Sequence, residues 1–481
     1  MSKISPTAVV DAALYFDQWL AFRQRFELVP GVQAAILHGD TLALDAAHGY
    51  ADIAERTPLT PRHLFRIASH SKTFTATAIM QLVEQGALRL DDTGGQWLDF
   101  LSGTPIATVT IREMLSHAGG IVRDGWDGDF WQLAFPFPDT EQLRRISVDA
   151  AKVLDRNERF KYSNVAYSLL GLIIEEATGV AYRTYVSEHI VDRLGLADTG
   201  PELDPSRLDQ YATGYTALGY GDTRIPIEHI DTGAMAAATG FYSTATDVVR
   251  YVSGHFFGDE RLVSDESKRL MQRIEWKVDG TDSSYGLGFA VATIGGRRVL
   301  GHGGGYPGHI TRTFFDPVDR LAVSVLTNAI DGPALAMATA AIRLVDLAQH
   351  GIDEGVPADR ADLASFCGRF ANLWGVFDVV RLGGRLYQVD PTTPDPALEP
   401  VHLDVVDADT LRIRKAPGYG SPGENLEYQR ETDGSIRSVR GGSGSTSHPI
   451  DAFVGALLGR DRITLGAPIA PVHPAASTLE S

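Results

Sequence analysis

Ser69, His70, Ser71 and Lys72 stand in a row within FRIASHSKTFTA, residues 65–76. Phe74, Ala78 and Leu82 follow at intervals of four, which predicts a helix from about Ser69 to Gln85, stopped by Gly86. On such a helix Ser69 and Lys72, three apart, share a face. A serine hydroxyl at a helix start meets unpaired N–H groups and the positive end of the helix dipole, which suit an anionic intermediate. A lysine beside it can accept the hydroxyl proton once burial or nearby cations lower its pKa. Ser71 adjoins Lys72 in sequence and points elsewhere, so geometry selects Ser69 as the nucleophile. Alone, Ser-x-x-Lys is a weak signal, because a capped helix with a solvated lysine reads the same way.

Two later stretches give the pair its context. FKYSNVAYSLLGLIIE, residues 160–175, carries Tyr162-Ser163-Asn164 just before a second apolar helix. LGHGGGYPGH, residues 300–309, carries His302-Gly303-Gly304 leading into a strand. In this order the three motifs resemble those of the penicillin-recognising serine hydrolases: class C β-lactamases, DD-peptidases, D-aminopeptidases and related esterases. Sequences of that family run Ser-x-x-Lys, Tyr-x-Asn, then a Lys/His-x-Gly triplet, with a sister version in the class A enzymes. IREMLSHAGGI (111–121), ATGFYSTATDVVRY (238–251) and YGLGF (285–289) look like the family too, and the resemblance covers roughly residues 30 to 345.

The resemblance implies a β-lactamase-like antiparallel sheet with helices on both sides, and a site without cofactor or metal. It implies Ser69 as the acylated nucleophile and Lys72 as its activating partner. Tyr162 is implied as the proton shuttle, a role that as phenolate would need stabilisation from Lys72 because free tyrosine titrates near pH 10. Asn164 is implied to orient substrate and Lys72, and the N–H groups of Ser69 and Gly305 to form the oxyanion hole. His302 departs from the lysine of typical β-lactamases, and a mostly neutral imidazole offers less to a substrate carboxylate. That departure resembles the D-aminopeptidase and esterase branches. Gly303 and Gly304 let substrate approach the backbone closely.

Other motifs carry less. G-x-G-x-x-G at Gly303, Gly305 and Gly308 has Pro307 inside it and a strand after it, and HGGG lacks an accompanying G-x-S-x-G. No H-E-x-x-H occurs. His117 and His70 read as structural or packing residues. The loop Asp124 to Asp139 gathers Trp126, Phe130, Trp131, Phe135 and Phe137, which suit either an aromatic wall or a flap on the core.

The positioning elements are legible around the motifs. Val32 to Leu37 and Leu42 to Ala46 form a hairpin about His38-Gly39-Asp40-Thr41, and Val165 to Thr178 is a helix ended by Gly179. After Tyr285 come FAVATI, RRVLGH, TRTFFD and LAVSVLTN as strands, then an Ala-rich helix from Asp331 to Gln349. Such a chain buries itself by joining both strand groups in one antiparallel sheet with helices packed on it, an α+β class. The expected division is a catalytic domain over 1–350, a linker over 351–362, a small β-barrel or sandwich over 363–466, and a disordered tail over 467–481.

Composition narrows the function class. A net charge of −18 argues against nucleic acid or anionic membrane as partner, and the 44% hydrophobic content supports a full core. The single cysteine, Cys367, excludes an internal disulfide framework. Asp11 and Asp17 interrupt the N-terminal stretch, so no signal peptide is read and a cytoplasmic location is expected. The expected function is a serine hydrolase forming an acyl-enzyme with a small-molecule or short-peptide substrate: a small amide, D-amino-acid peptide or ester. The alternatives are a β-lactamase or DD-carboxypeptidase, and an inactive penicillin-fold binding protein. Oligomeric state is not legible.

Overall fold

The computed structural model of the chain describes residues 4–149, 151–355, 361–418, 420–442 and 444–466. The predicted hairpin is present as β1 (Gly31–His38) and β2 (Thr41–Asp52), turning through Gly39 at φ +59°, where glycine carries no Cβ penalty. With β3 (Thr57–Pro58), β4 (Trp276–Lys277), β5 (Ser284–Tyr285), β6 (Ala290–Ile294), β7 (Arg297–Tyr306), β8 (His309–Asp316) and β9 (Leu321–Thr327), they build a nine-stranded antiparallel sheet. Its order is β3-β2-β1-β9-β8-β7-β6-β5-β4. The register Val32↔Thr327 through His38↔Leu321 joins the N-terminal hairpin to the C-terminal strands, as the sequence predicts. β1 and β9 are almost wholly buried, which is why both read as near-continuous apolar runs rather than alternating ones.

Five helices are needed below: α1 (Pro6–Phe26), α2 (Ser71–Glu84), α3 (Asn164–Thr178), α4 (Ala245–Ser253) and α5 (Ala334–Asp353). α2 packs against α3, and α4 lies on β1 and β9. Phe74, Ile79, Leu169, Ile173, Val248 and Leu326 belong to the single large core that results. Gly288, at φ +87°, stands where a Cβ would come within 2.3 Å of Ala76, so the YGLGF turn lies directly on α2. No single helix among the described residues is long and apolar enough to cross a membrane.

The chain divides into two compact units, and they are not contiguous in sequence. One spans Leu20–Ile342, and the other combines Ile4–Trp19 with the described residues from Arg343 onward. A contiguous 1–350 domain does not allow for this. In the second unit Tyr15 donates to Asp378 Oδ2 at 2.9 Å and the Gly383 N–H donates to Asp11 Oδ2 at 3.0 Å, fastening the first turns of α1 to residues hundreds of positions away. That unit also contains a closed barrel of β10 (Gly368–Asn372), β11 (Gly375–Leu382), β12 (Arg385–Val389), β13 (Val401–Asp407), β14 (Thr410–Lys415), β15 (Asn425–Arg430), β16 (Ile436–Arg440) and β17 (Thr446–Pro449). Of the barrel or sandwich expected, it is the barrel, closed by pairing of β10 with β17 around Phe370, Leu386, Leu411 and Val439. In the expected linker, α5 runs to Asp353 and Ala361–Phe366 is a 3-10 helix, while 356–360 lie outside the described residues. The expected tail 467–481 lies outside them as well.

Candidate active site

The segment carrying Ser69 is held from beneath. Phe65–Arg66 pairs with Tyr242–Ser243, and the buried Arg66 donates to Glu202 Oε1 (2.7 Å), Ile230 O (2.8 Å) and Gly240 O (3.2 Å). Ala68 then takes φ +46°, a left-handed conformation that costs a non-glycine residue of order 1–3 kcal/mol. Its neighbours hold it there. Ser71 Oγ donates to Ala68 O at 2.6 Å and accepts from the Phe241 N–H at 3.0 Å, while the Ile67 N–H donates to Phe241 O at 2.9 Å. Ser69 therefore lies in a 3-10 turn, Ala68–His70, just ahead of α2 rather than inside the predicted helix. It is half-buried, whereas Ser71 is fully buried in the bonds that shape the turn.

Three of the residues implied by the motifs converge on the Ser69 hydroxyl or on each other. Tyr162 Oη donates to Ser69 Oγ at 2.9 Å, and Lys72 Nζ stands 3.3 Å from the same oxygen. Lys72 Nζ also donates to Asn164 Oδ1 (2.7 Å) and Ala238 O (2.8 Å). The Tyr-x-Asn spacing follows from Ser163, which is extended (φ −144°, ψ 120°) and caps α3 by accepting from the Ala166 N–H at 2.9 Å. In an extended stretch residues two apart point the same way, so the cap directs Tyr162 and Asn164 together toward Ser69 and Lys72.

Burial sets the protonation states. Lys72 is completely buried, and desolvation holds its ammonium well below the ordinary lysine range; Asp124 opposes this shift and Arg123 adds to it. Burial pushes the Tyr162 hydroxyl up, against the smaller effects of its bond to Ser69 and of Arg123. Both shifts run toward a neutral phenol and a neutral amine rather than a phenolate and an ammonium, two states that contain the same number of protons. A neutral amine has two N–H bonds and one lone pair. Asn164 Oδ1 and Ala238 O take the two N–H bonds, leaving the lone pair for Ser69 Oγ.

The glycine triplet lies against this segment. A Cβ on Gly304 would fall 2.1 Å from Ile67 O, so only glycine lets β7 run so close to the turn bearing Ser69. β6 pairs with β7 only as far as Gly301, and beyond it Gly305 is exposed, where a Cβ would meet Ile310 Cδ1 at 3.7 Å, an ordinary contact. His302 is buried: its Nδ1–H donates to Gly303 O at 2.6 Å and its Nε2 accepts from Tyr285 Oη at 3.0 Å. Burial holds it well below the usual histidine range and neutral. A cation does stand nearby. Arg312, opposite Gly303 in the β7–β8 register, has an Nη1 that a Cβ on Gly303 would meet at 2.9 Å. Its Nε has no acceptor and it forms no ion pair among the described residues, and burial lowers its pKa to about 10.

Sequence reasoning missed several participants. Asp124 Oδ1 accepts from Asn164 Nδ2 at 2.6 Å and from Trp131 Nε1 at 3.1 Å, and the Arg123 guanidinium lies 5.2 Å from the Tyr162 ring centroid. Both head the aromatic loop, but no spacing rule ties residue 124 to residue 164. The loop itself is split: Phe130 and Phe137 are buried with Met235, while Trp126 and Phe135 are exposed. His117 accepts from the Ser163 N–H at 3.1 Å and lies 4.3 Å from Tyr162, ring to ring, supporting the tyrosine. His70 donates to Ile67 O at 3.0 Å and accepts from Thr313 Oγ1 at 2.9 Å, and burial lowers its pKa to about 4. Both histidines pack as the sequence suggests.

The beta-lactamase family profile matches residues 21–347. The chain belongs to the beta-lactamase family. It is similar to Penicillin-binding protein 4* of Bacillus subtilis (strain 168), at 31% identity over 57% of this chain and 62% of that protein. It is also similar to Protein flp of Staphylococcus aureus (strain COL), at 23% identity over 62% of this chain and 60% of the relative. The chain thus spans about three fifths of the length of these curated relatives. Among solved structures, the octameric penicillin-binding protein homologue from Pyrococcus abyssi superposes with a TM-score of 0.64 at 23% identity, covering 90% of this chain and 99% of that one. The D-amino acid amidase from Ochrobactrum anthropi SV3 complexed with D-phenylalanine gives 0.59 at 24%, covering 70% and 99%. At these identities the structural likenesses establish the beta-lactamase-like fold.

Proposed function

We propose that this beta-lactamase family member is a serine hydrolase that forms an acyl-enzyme on Ser69 with a small amide, D-amino-acid peptide or ester. One observation carries the reading: Ser69 Oγ is bracketed by the Tyr162 hydroxyl and by a fully buried Lys72 whose N–H bonds are already committed. As Ser69 Oγ attacks the acyl carbon, its proton passes to the Lys72 lone pair. The N–H groups of Ser69 and Gly305 hold the developing oxyanion, a contribution that in comparable enzymes is about 3–4 kcal/mol per donor. Tyr162 O–H gives its proton to the leaving group and is reprotonated from Lys72, so the resting state returns with the acyl group on Ser69. Water then enters by the reverse path and releases the acid.

A second reading, a β-lactamase or DD-carboxypeptidase that recognises a carboxylate, has one observation in its favour. Arg312 is a guanidinium stacked on Phe314 beside the triplet, with no ion-pair partner among the described residues, where His302 supplies no charge. Rates on a chromogenic cephalosporin and on p-nitrophenyl esters with and without a carboxylate separate the two readings. The second requires a strong preference for the carboxylate that Arg312→Gln removes.

Intact-protein mass spectrometry after exposure to a slowly deacylating ester tests the first reading. A single adduct on Ser69, absent from Ser69→Ala, is expected. An adduct mapped to Ser71, or undiminished labelling of Ser69→Ala, overturns the assignment.

A further inference from the structure

A cavity of about 590 Å³ opens beside Gly305. Trp131, Leu133, Ile227 and Tyr306 line it, with Tyr220 and Ile330 at the rim. Tyr220 is 81% exposed and Ile330 36%, apolar surface that a single side-chain-sized occupant would cover. Ser69, Lys72, Tyr162 and His302 do not line it, and Gly305 and Tyr306 are its links to the oxyanion strand. If the Gly305 N–H holds the acyl oxygen, the leaving group faces Tyr162, which protonates it, and the acyl substituent points the other way. Gly305 also lines the cavity, so the acyl substituent of a carbonyl held by its N–H borders that space.

We propose that this cavity is the acyl-donor pocket and that it selects a large apolar or aromatic acyl group, preferentially one bearing an amine. The inference rests on the acyl-enzyme reading above. The size suits a group larger than acetyl, since ligand pockets typically run roughly 300–1,000 Å³ and are mostly apolar with few polar points. Glu228 supplies the charge preference: it is the only charged residue lining the cavity, it is exposed, and it has no ion-pair partner among the described residues. An ammonium on the acyl group meets that carboxylate, and an anionic acyl group is repelled. The Trp131 wall is fixed by its N–H bond to Asp124, whose same oxygen accepts from Asn164, the residue bonded to Lys72. The pocket wall and the Lys72 bracket therefore share one anchor, which holds an acyl group seated there in register with Ser69.

Four p-nitrophenyl esters test this on the full chain: acetyl, 3-phenylpropionyl, phenylalanyl (with a free amine) and monosuccinyl. The expected order of kcat/KM is phenylalanyl, 3-phenylpropionyl, acetyl, monosuccinyl. The aromatic acyl group should gain at least ~10-fold over acetyl, as filled apolar pockets do, and the amine a further ~3-fold, as an exposed charge pair allows. Ile330→Trp should lower the ratio of 3-phenylpropionyl to acetyl rates by crowding the pocket. Glu228→Gln should erase the advantage of the amine and keep the aromatic preference. A wild-type preference for acetyl, or ratios untouched by both variants, overturns the pocket assignment while leaving acylation of Ser69 standing. Calorimetry with 3-phenylpropylamine on Ser69→Ala reads the pocket without turnover, and Glu228-dependent binding is expected. Such binding in a protein whose wild type is acylated by none of the four esters would overturn the Ser69 reading itself.

Discussion

The surroundings of Asp378 in the barrel-containing unit and of Lys72 in the sheet-and-helix unit treat buried polar groups differently. In the former, Asp378 is buried but receives a two-pronged bond from Arg369 at 2.7 and 2.8 Å and a third from Tyr15. Around Ser69 the groups are buried without such compensation: Lys72 touches no carboxylate, His302 and His117 are held neutral, and Arg312 has no ion-pair partner among the described residues. Paired burial specifies structure, and unpaired burial shifts pKa values and stores reactivity. The buried Arg66–Glu202 pair beneath Ser69 is compensated like Asp378, so the contrast marks the Lys72 cluster rather than the whole unit.

The strongest attempt to break that contrast is to remove the proton network. Lys72→Ala and Tyr162→Phe should each lower kcat by ~10²–10⁴-fold, the range for a general acid or base. Combined, they should cost far less than the product, because groups acting as a unit are not additive. Multiplicative losses in the double-mutant cycle would mean the two side chains act separately.

A smaller effect sharpens the electrostatics. Acylation needs Lys72 as the free amine, so kcat/KM should rise with pH through its depressed pKa and then level off, with the raised Tyr162 adding no descending limb in the neutral range. The Asp124 carboxylate favours the protonated amine, so Asp124→Asn should move the rising limb to lower pH. A pH–rate profile that stays in place, or moves to higher pH, contradicts the assigned protonation states.

Ser71→Ala tests structure against chemistry at the same turn. It removes a buried hydroxyl bonded to Ala68 O and the Phe241 N–H, so a stability loss of ~1–3 kcal/mol is expected by denaturant titration. Labelling should still occur on Ser69, at a reduced rate. The mildest test lies in the other unit. Tyr15→Phe should lower stability by ~1.5–3 kcal/mol, as loss of a buried bond to a charged group does, and leave the kcat/KM of a small ester unchanged. A large rate effect there would end the division of roles.

Much of the site is written locally. Ser69 and Lys72 share a helix face by spacing, and the family resemblance of the ordered motifs implied Tyr162 and Asn164 beside them, so all four could be named without coordinates. The hairpin β1–β2 and the helix ending at Gly179 were legible because periodicity and stop signals are short-range. Asp124, Tyr285 and Arg312 were not. Each acts through a partner on another element (Asn164, His302 and Gly303 respectively), and a single sequence holds no record of such pairings. Ser71 is buried and bonded to Ala68 O and the Phe241 N–H, and those bonds could not be foreseen, because Phe241 arrives from 170 residues away.

The sequence by itself determined the hairpin and the helices beside the motifs, because periodicity and stop signals act within one element, and the order of the motifs, by resemblance, pointed to the sheet and the candidate nucleophile. Tertiary structure decided the rest. Desolvation, which no spacing encodes, made Lys72 a candidate free base, kept Tyr162 a phenol and left His302 uncharged. It also fastened Ile4–Trp19 to the barrel-containing unit, since the partners of Asp11 and Tyr15 are Gly383 and Asp378. Charge state and long-range packing depend on what surrounds a residue in space, and only the folded chain brings those surroundings together.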